Sequence, residues 1–411
     1  MKIKMMLGAL LIISVVAAQK PATYNLANML QSKQIENTVF SETKPLKGNK
    51  PGAISSVHPV LFKELSFTEG TIDIDLRGKN KFLASFLGII FHAADTVHYD
   101  ALYFRPFNFR HADTTRHYWS VTYVSMPGYP WTKLRKEHPL VYENKLDPAP
   151  DPDDWFHATI VVKGTDLKVY VNHATEPSLR VQLLNGKRGG KLGLFSDGLR
   201  SDFANLVITP LPEDQKTLHI NLNEAIQDKK LTLAVRNQLI KLPDSMHSAI
   251  GLASSAWLAM LEGINFKTGT IEADLKGRDF FQQSFLGIAF HIKDSSSYEV
   301  VYFRPFNFNT TDSIRHHHAV QYMQLPDFPW PRLRKEKPEQ YESNIVDPPS
   351  AEGWFHIKLV VDREWITVYV NYACTASLRI KSLWDNREGG IALWSDGLND
   401  LFSDLYIGKP D

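Results

Sequence analysis

Cysteine is almost missing from this chain. Cys374 is the single one in 411 residues, so no disulfide can form within it and the fold must hold by packing alone. Charge of one sign is missing too: Lys and Arg number 46 against 45 Asp and Glu, a formal net charge of +1, with no acidic or basic tail. The polycationic field that holds nucleic acid is therefore excluded as a main function. After residue 18 no stretch approaches the roughly 20 apolar residues of a bilayer-crossing helix, and no membrane span is expected. Glycine-rich phosphate loops, paired zinc-ligand spacings and nucleophile elbows are also absent, so no metal and no cofactor is expected.

What is present begins with an address. Lys2 and Lys4 precede an apolar run at 5–16, and Val16-Ala17-Ala18 offers the small residues a signal peptidase reads, with cleavage expected before Gln19. Residues 1–18 read as a signal peptide. Export without disulfides fits a bacterial periplasm or exterior better than a eukaryotic secretory route.

The heptapeptide YFRPFNF at 103–109 returns letter for letter at 302–308. The echo belongs to a longer one. His92 and His291, Arg105 and Arg304, Trp131 and Trp330, and Trp155 and Trp354 all stand 199 positions apart. The register holds without a gap from Gly70 to Ile208 against Gly269 to Ile407. Solenoid units run roughly 20–50 residues, so this period is a whole domain and the chain is a tandem duplication. TPLPEDQK at 209–216 interrupts strand pairing with prolines and charges. Domains are expected at 19–211 and 212–411, each with a less similar lead-in (19–69 and 217–268) that adds a first strand and capping structure.

The pattern is mostly strand. GTIDIDLRG and GTIEADLKG alternate apolar and polar residues between glycines, as half-buried strands do. SFLGIIFH and SFLGIAFH are denser and suit strands buried on both faces. FHATIVVKGTDLKVYVN and FHIKLVVDREWITVYVN read as hairpins. KLGLFSD with IALWSD, and FANLVI with FSDLYI, complete each set, and a helix is expected only in the lead-ins, as in LNEAIQD at 222–228. This order of strands and turns resembles the concanavalin A-like lectin/glucanase jelly rolls, among them laminin G-like domains and bacterial 3-keto-disaccharide hydrolase domains. The resemblance covers 70–208 and 269–407 and implies an all-β chain of two tandem concanavalin A-like jelly-roll β-sandwiches. The glucanases of that superfamily carry a Glu-x-Asp-x-x-Glu strand. Neither copy has one, which counts against an ordinary retaining glucanase.

Candidate site residues lie in the insert that follows SFLGIIFH. Read as a strand, YFRPFNF turns Tyr103, Arg105, Phe107 and Phe109 one way and Phe104, Pro106 and Asn108 the other. An arginine among rings either reaches a sugar hydroxyl or carboxylate beside stacking platforms, or is a buried scaffold cation paired with Asp95 or Glu143, matched by Asp294 or Glu342. MPGYPWTKLRKE and LPDFPWPRLRKE read as a proline-stiffened loop with no helix, presenting Tyr129 or Phe328, Trp131 or Trp330, and Arg135 or Arg334. That mixture suits a glycan, yet Trp131 and Trp330 themselves read first as a Pro-Trp plug on one end of the sandwich, since large aromatics dominate cores. Arg116 and His117 persist as Arg315 and His316, whereas His317 and His318 read as solvated loop. His92-x-x-Asp95 and His291-x-x-Asp294 read as strand-end histidines bonded to a turn rather than as metal or catalytic pairs. Trp155 and Trp354 read as core, and Asn172 and Asn371 as turn residues.

Three functions fit. The first is binding of an oligo- or polysaccharide by two lectin-like sandwiches, which gain avidity on a polymeric ligand. Its residues are Tyr103, Arg105, Asn108, Arg116, Trp131, Arg135 and Glu143, repeated as Tyr302, Arg304, Asn307, Arg315, Trp330, Arg334 and Glu342. The second is a carbohydrate-active hydrolase or lyase of the 3-keto-disaccharide hydrolase type, with Glu143 and Glu342 or His92 and His291 as proton carriers; whether the chain is an enzyme stays open. The third is a structural or adhesive envelope protein, a reading weakened by the charged residues kept in both copies.

Overall fold

The protein is described by a computed structural model covering residues 20–37, 42–48, 50–184, 188–233, 239–241, 249–252, 258–397 and 400–409; the segment 1–18 lies outside the described residues. Four antiparallel sheets form two jelly-roll β-sandwiches in tandem, all-β as expected. The first back sheet runs Leu179–Gln182, Asp166–Val171, Phe156–Lys163, Gly70–Arg77, Ser201–Pro210, Ile54–Ser56, Lys44–Pro45, with Ala22–Tyr24 also on Ser201–Pro210. Its front sheet runs Glu143–Asn144, Val121–Met126, Tyr99–Phe104, Ser85–Ala93, Gly190–Gly198, Val60–Phe67, Ile35–Asn37. The second sandwich repeats this order, its back sheet centred on Gly269–Lys276 and its front sheet on Leu286–Asp294.

Period-two patterning decides what faces inward. Ile72, Ile74 and Leu76 of the first back sheet are sealed against Leu87, Ile89 and Phe91 of the front sheet. Leu102 and Phe104 pair with Ile89 and Leu87, so they also point in, and Phe104 meets Phe156 of the back sheet edge-on at 5.0 Å. Tyr99, Ala101 and Tyr103 must therefore point out from the front sheet. Gly70 opens its strand at φ +138°, where a Cβ would come within 2.4 Å of the Thr209 carbonyl oxygen.

The lead-in helix is Leu222–Gln227, capped by Asn221, and the first lead-in holds its twin, Leu26–Gln31, capped by Asn25. Helices also occur where none was expected. The strand read through YFRPFNF ends at Phe104, and Pro106 begins the short helix Pro106–Phe109. Proline at the first helical position has its φ preset and needs no N–H partner there. Trp131–Glu137 and Trp330–Glu336 are helices as well, because the prolines of MPGYPW and LPDFPW stand at their N-termini and not inside them.

His92 and His291 do not partner Asp95 and Asp294. His92 Nε2 donates to the Thr68 carbonyl at 2.9 Å, and its Nδ1 meets Asp100 at 3.2 Å; Tyr123 donates to the other Asp100 oxygen at 2.8 Å. The carbonyl can only accept, so Nε2 carries a proton. In the second sandwich Glu299 replaces Asp100, 2.6 Å from His291 Nδ1. Both histidines are sealed. They cross-link strands and cannot carry protons to a substrate. Asp95 closes its own turn, accepting from the Val97 and His98 N–H groups.

The outer faces of the back sheets carry a second repeated cluster. His157 sits between Asp75, at 2.8 Å, and Asp73, at 3.2 Å; His356 sits likewise between Asp274, at 2.8 Å, and Glu272, at 3.3 Å. In the second sandwich the first domain covers the cluster. Arg188 pairs with Glu272 and lies 3.7 Å over the Tyr406 ring, and Lys358 donates to Asp166 at 2.7 Å. In the first sandwich Lys50 reaches Asp75 and His173 stacks on His157 at 4.4 Å. Trp155, read as core, instead lies half-buried with Arg77 4.9 Å over its ring.

Hydrogen bonds to Asp73 and Asp75 raise the His157 pKa to about 9 against the opposing effect of burial. A free imidazole titrates near ~6.5. The stability this group contributes is therefore complete below that value and lost as pH rises through about 9. The melting temperature is expected to fall more steeply over this range in the wild type than in His157→Gln; parallel profiles would refute the assignment.

Candidate functional site

The outward rings of the first front sheet form the floor of a cavity of about 350 Å³, and the insert forms its walls. Gly88 lies between Tyr103 and Phe195 in the sheet, and across this side-chain-free position the two rings stack at 4.9 Å. Phe86, Tyr99, Val124 and Met126 complete the floor. The wall consists of Arg105, Phe107 and Asn108 from the first turn of the insert, Arg116 and Trp119 from the 3-10 helix Thr114–Trp119, and Trp131 and Arg135 from the helix Trp131–Glu137. Six of the seven candidates in this copy thus converge on one pocket. Asn108, expected on the opposite face, joins them because the chain turns at Pro106.

Arg105 is 5% exposed. Its Nη1 donates to the Trp119 carbonyl at 3.0 Å and to Thr122 Oγ1 at 2.5 Å, and its Nη2 to the Tyr103 hydroxyl at 2.9 Å. Burial lowers its pKa from the ordinary guanidinium value, and burial pushes that of Tyr103 up to about 12. Arg105 has no bidentate carboxylate: Glu143 stands 4.0 Å away and is gripped by Arg135 at 2.7 and 2.6 Å. Glu143 therefore stands behind the wall and orients Arg135. The Arg135 guanidinium lies 4.3 Å over Trp119 and 4.8 Å over Trp131. Trp131 is 43% exposed, which excludes the plug. Arg116 stacks 4.6 Å over Phe82, with Asp113 at 3.6 Å. Asn108 Nδ2 donates to the Trp119 carbonyl, while its buried Oδ1 has no partner.

The second copy brings the same residues together with different packing. Tyr302 donates to Gln321, which stands where the first copy has Thr122 and reaches Glu342; Arg334 grips Glu342 at 2.9 Å. Arg315 donates to Asn307 Oδ1 at 3.3 Å and to the Phe306 carbonyl at 3.0 Å. Arg304 lies 5.8 Å from the Trp330 ring. Trp394 replaces Phe195, 5.1 Å from Tyr302, with its indole N–H on the Tyr298 hydroxyl. His318, expected in solvated loop, stands where the first copy has Trp119, 3.3 Å from Glu342; burial lowers its pKa against the pull of that carboxylate.

The sequence reading missed Phe86, Tyr99, Trp119, Phe195 and Asp197. The signal was parity, since Tyr99 and Tyr103 share a strand face and Phe195 pairs with Gly88. A larger cavity of about 590 Å³ lies between the domains, lined by Lys163, Arg180, Lys358, Asp362 and Lys409, with Tyr369 its one ring. It lacks the stacked guanidinium groups of the front-sheet pocket. Among the described residues no group of three His, Cys, Asp or Glu side chains could hold a metal ion, and no helix is long and apolar enough to cross a membrane.

No family model matches the chain, and no curated protein matches it. Solved structures are similar to parts of it. A carbohydrate-binding module CBM66 from Bacillus subtilis is 12% identical, with a TM-score of 0.30, over 43% of this chain and 93% of that one. A protein of unknown function with a galectin-like fold, also from Bacillus subtilis, is 11% identical with a TM-score of 0.33, over 46% and 94%. The exoplasmic/lumenal domain of VIP36, in a Ca²⁺/Man3GlcNAc-bound form, is 9% identical with a TM-score of 0.29, over 42% and 83%. These likenesses concern strand arrangement and decide nothing about the residues of the pocket.

Proposed function

We propose that this tandem of concanavalin A-like jelly rolls is an exported glycan-binding protein whose first sandwich holds a sugar in the front-sheet pocket. One observation carries the reading. A half-exposed indole, Trp131, shares the pocket with guanidinium groups that rings and backbone carbonyls already fix in place. A sugar ring presents C–H faces that pack on an indole, while its hydroxyls accept from Arg105, Arg116 and Arg135. The volume is at the lower end of the roughly 300–1,000 Å³ of small-ligand sites and suits a short stretch of an oligo- or polysaccharide. Because Arg105 and Arg135 are held before a ligand arrives, little side-chain entropy remains to be lost on binding. The basic-then-apolar start at 1–18 supports export.

The test is a panel of neutral and acidic polysaccharides scored for binding and for released product. The wild type is expected to bind at least one without cleaving it, and Trp131→Ala to weaken that binding roughly 10- to 100-fold. Trp131 lies on the surface, so its loss leaves folding intact, and Arg105→Ala serves as the buried comparison. Equal binding by Trp131→Ala would overturn the proposal. The hydrolase or lyase reading has one observation in its favour, the His318–Glu342 pair; product release abolished by His318→Gln would establish it.

A further inference from the structure

We infer that the chain associates head to tail with further copies of itself, the second domain of one copy seating on the back sheet of the first domain of the next. Within one chain this contact already exists. The first domain offers Arg188 and Asp166 as a plug, and the second domain's back sheet offers Glu272 and Lys358 as a socket. Contact seals the pair: the side chains of Arg188 and Glu272 are 6% and 1% exposed.

Both halves recur 199 positions away, the socket there more exposed and the plug there without an ion-pair partner among the described residues. The socket returns as Asp73, Asp75 and His157, with the same hydrogen bonds as Glu272, Asp274 and His356. The exposures differ: His157 and Asp73 are 20% and 25% exposed where His356 and Glu272 are 6% and 1%. The plug returns as the half-buried Arg387, which has no ion-pair partner among the described residues, and as the exposed Trp365, which carries Arg379 4.7 Å over its ring.

The two charge pairs change in a matched way, although Val207 stands where Tyr406 lies under Arg188. The Arg188–Glu272 pair becomes Arg387 and Asp73, with both charges kept. The Lys358–Asp166 pair becomes Thr159 and Trp365, with both charges gone. Losing one partner alone would leave an unpaired charge in a closed interface, which is strongly disfavoured; losing both leaves the contact viable. Charge complementarity therefore selects a second copy of this chain as the occupant. Plug and socket are different surfaces, so the contact is heterologous and each added copy exposes a new socket, producing a chain of copies or a closed ring.

The test is sedimentation velocity of the full chain across a concentration series, with Asp73→Arg and Arg387→Ala run singly and as an equimolar mixture. The wild type is expected to form dimers and larger species, and each variant alone to associate roughly 30-fold more weakly or worse. The mixture restores one intact plug and one intact socket, so it is expected to form dimers and nothing larger. Arg387 is half-buried and has no ion-pair partner among the described residues, so its substitution tests the contact without stranding a buried charge. A wild type that stays monomeric throughout would overturn the inference. So would association indifferent to either variant, or a mixture that fails to restore dimers.

Discussion

Arg188→Ala is expected to remove about 3–5 kcal/mol of stability and to split one unfolding transition into two. Glu272 is fully buried. Burial pushes its pKa up, yet the Arg188 charge, followed by a hydrogen bond from His356 and the charge of Lys358, holds it well below the ordinary carboxylate range. Removing the guanidinium strands that carboxylate in a closed interface and exposes the face of Tyr406. Glu69 of the first domain, which accepts from the Gly164 N–H at 2.7 Å and the Thr217 N–H at 3.0 Å, does not replace the lost charge pair. Without Arg188 the sandwiches stabilise each other mainly through Lys358 on Asp166, too weakly to couple their unfolding, and each should unfold at its own midpoint. Urea titration followed by tryptophan fluorescence reads this directly. A single transition at the wild-type midpoint would show that the pair contributes nothing.

Much of the architecture was legible because duplication prints the same constraint twice. The 199-residue register, the alternation in GTIDIDLRG and the apolar density of SFLGIIFH each named a strand that the sheets contain. The gathering of Tyr103, Arg105, Arg116, Trp131 and Arg135 around one cavity was suspected from composition, though only the turn at Pro106 shows how Asn108 reaches it. Partners from distant segments were not legible. His92 bonds Asp100 across a hairpin, whereas the sequence pattern offered only a nearby turn. His318 gave no warning of its position, because its counterpart Trp119 differs in chemistry and the short helical turns that end at the two residues carry no periodic pattern. The Asp73–His157–Asp75 cluster left a trace: carboxylates two apart on the outer strand face, beside a strand whose second residue is histidine. Choosing among such traces takes strand order, which local patterning does not supply. Arg188 and Glu272 belong to different domains, and no periodicity relates them.

The two pockets should differ in ligand binding because of one exchange. Phe195→Trp is expected to close the first pocket, and Trp394→Phe to open the second. Trp394 occupies the floor where Phe195 lies and is fixed by its bond to Tyr298. Around it Leu258, Ala289, Tyr298, Val300, Tyr302 and Met323 form a hydrophobic cluster of their own on the outer face of the sheet. The neighbouring acids report the same difference: Asp197 is exposed, whereas Asp396 is half-buried and its pKa is raised by that burial. An indole forced into the first floor would overpack it by roughly 1–3 kcal/mol, a loss of roughly 5- to 150-fold in affinity for the glycan proposed to bind there. Trp394→Phe would leave unfilled volume beside Tyr302 and release Tyr298, creating the space that the first copy already has. Titration calorimetry on the wild type should then give one site per chain, the Phe195→Trp variant none, and the Trp394→Phe variant two. Two equal sites in the wild type would mean that the second floor admits a sugar despite its larger ring, and the exchange at this position would not be what separates the two domains.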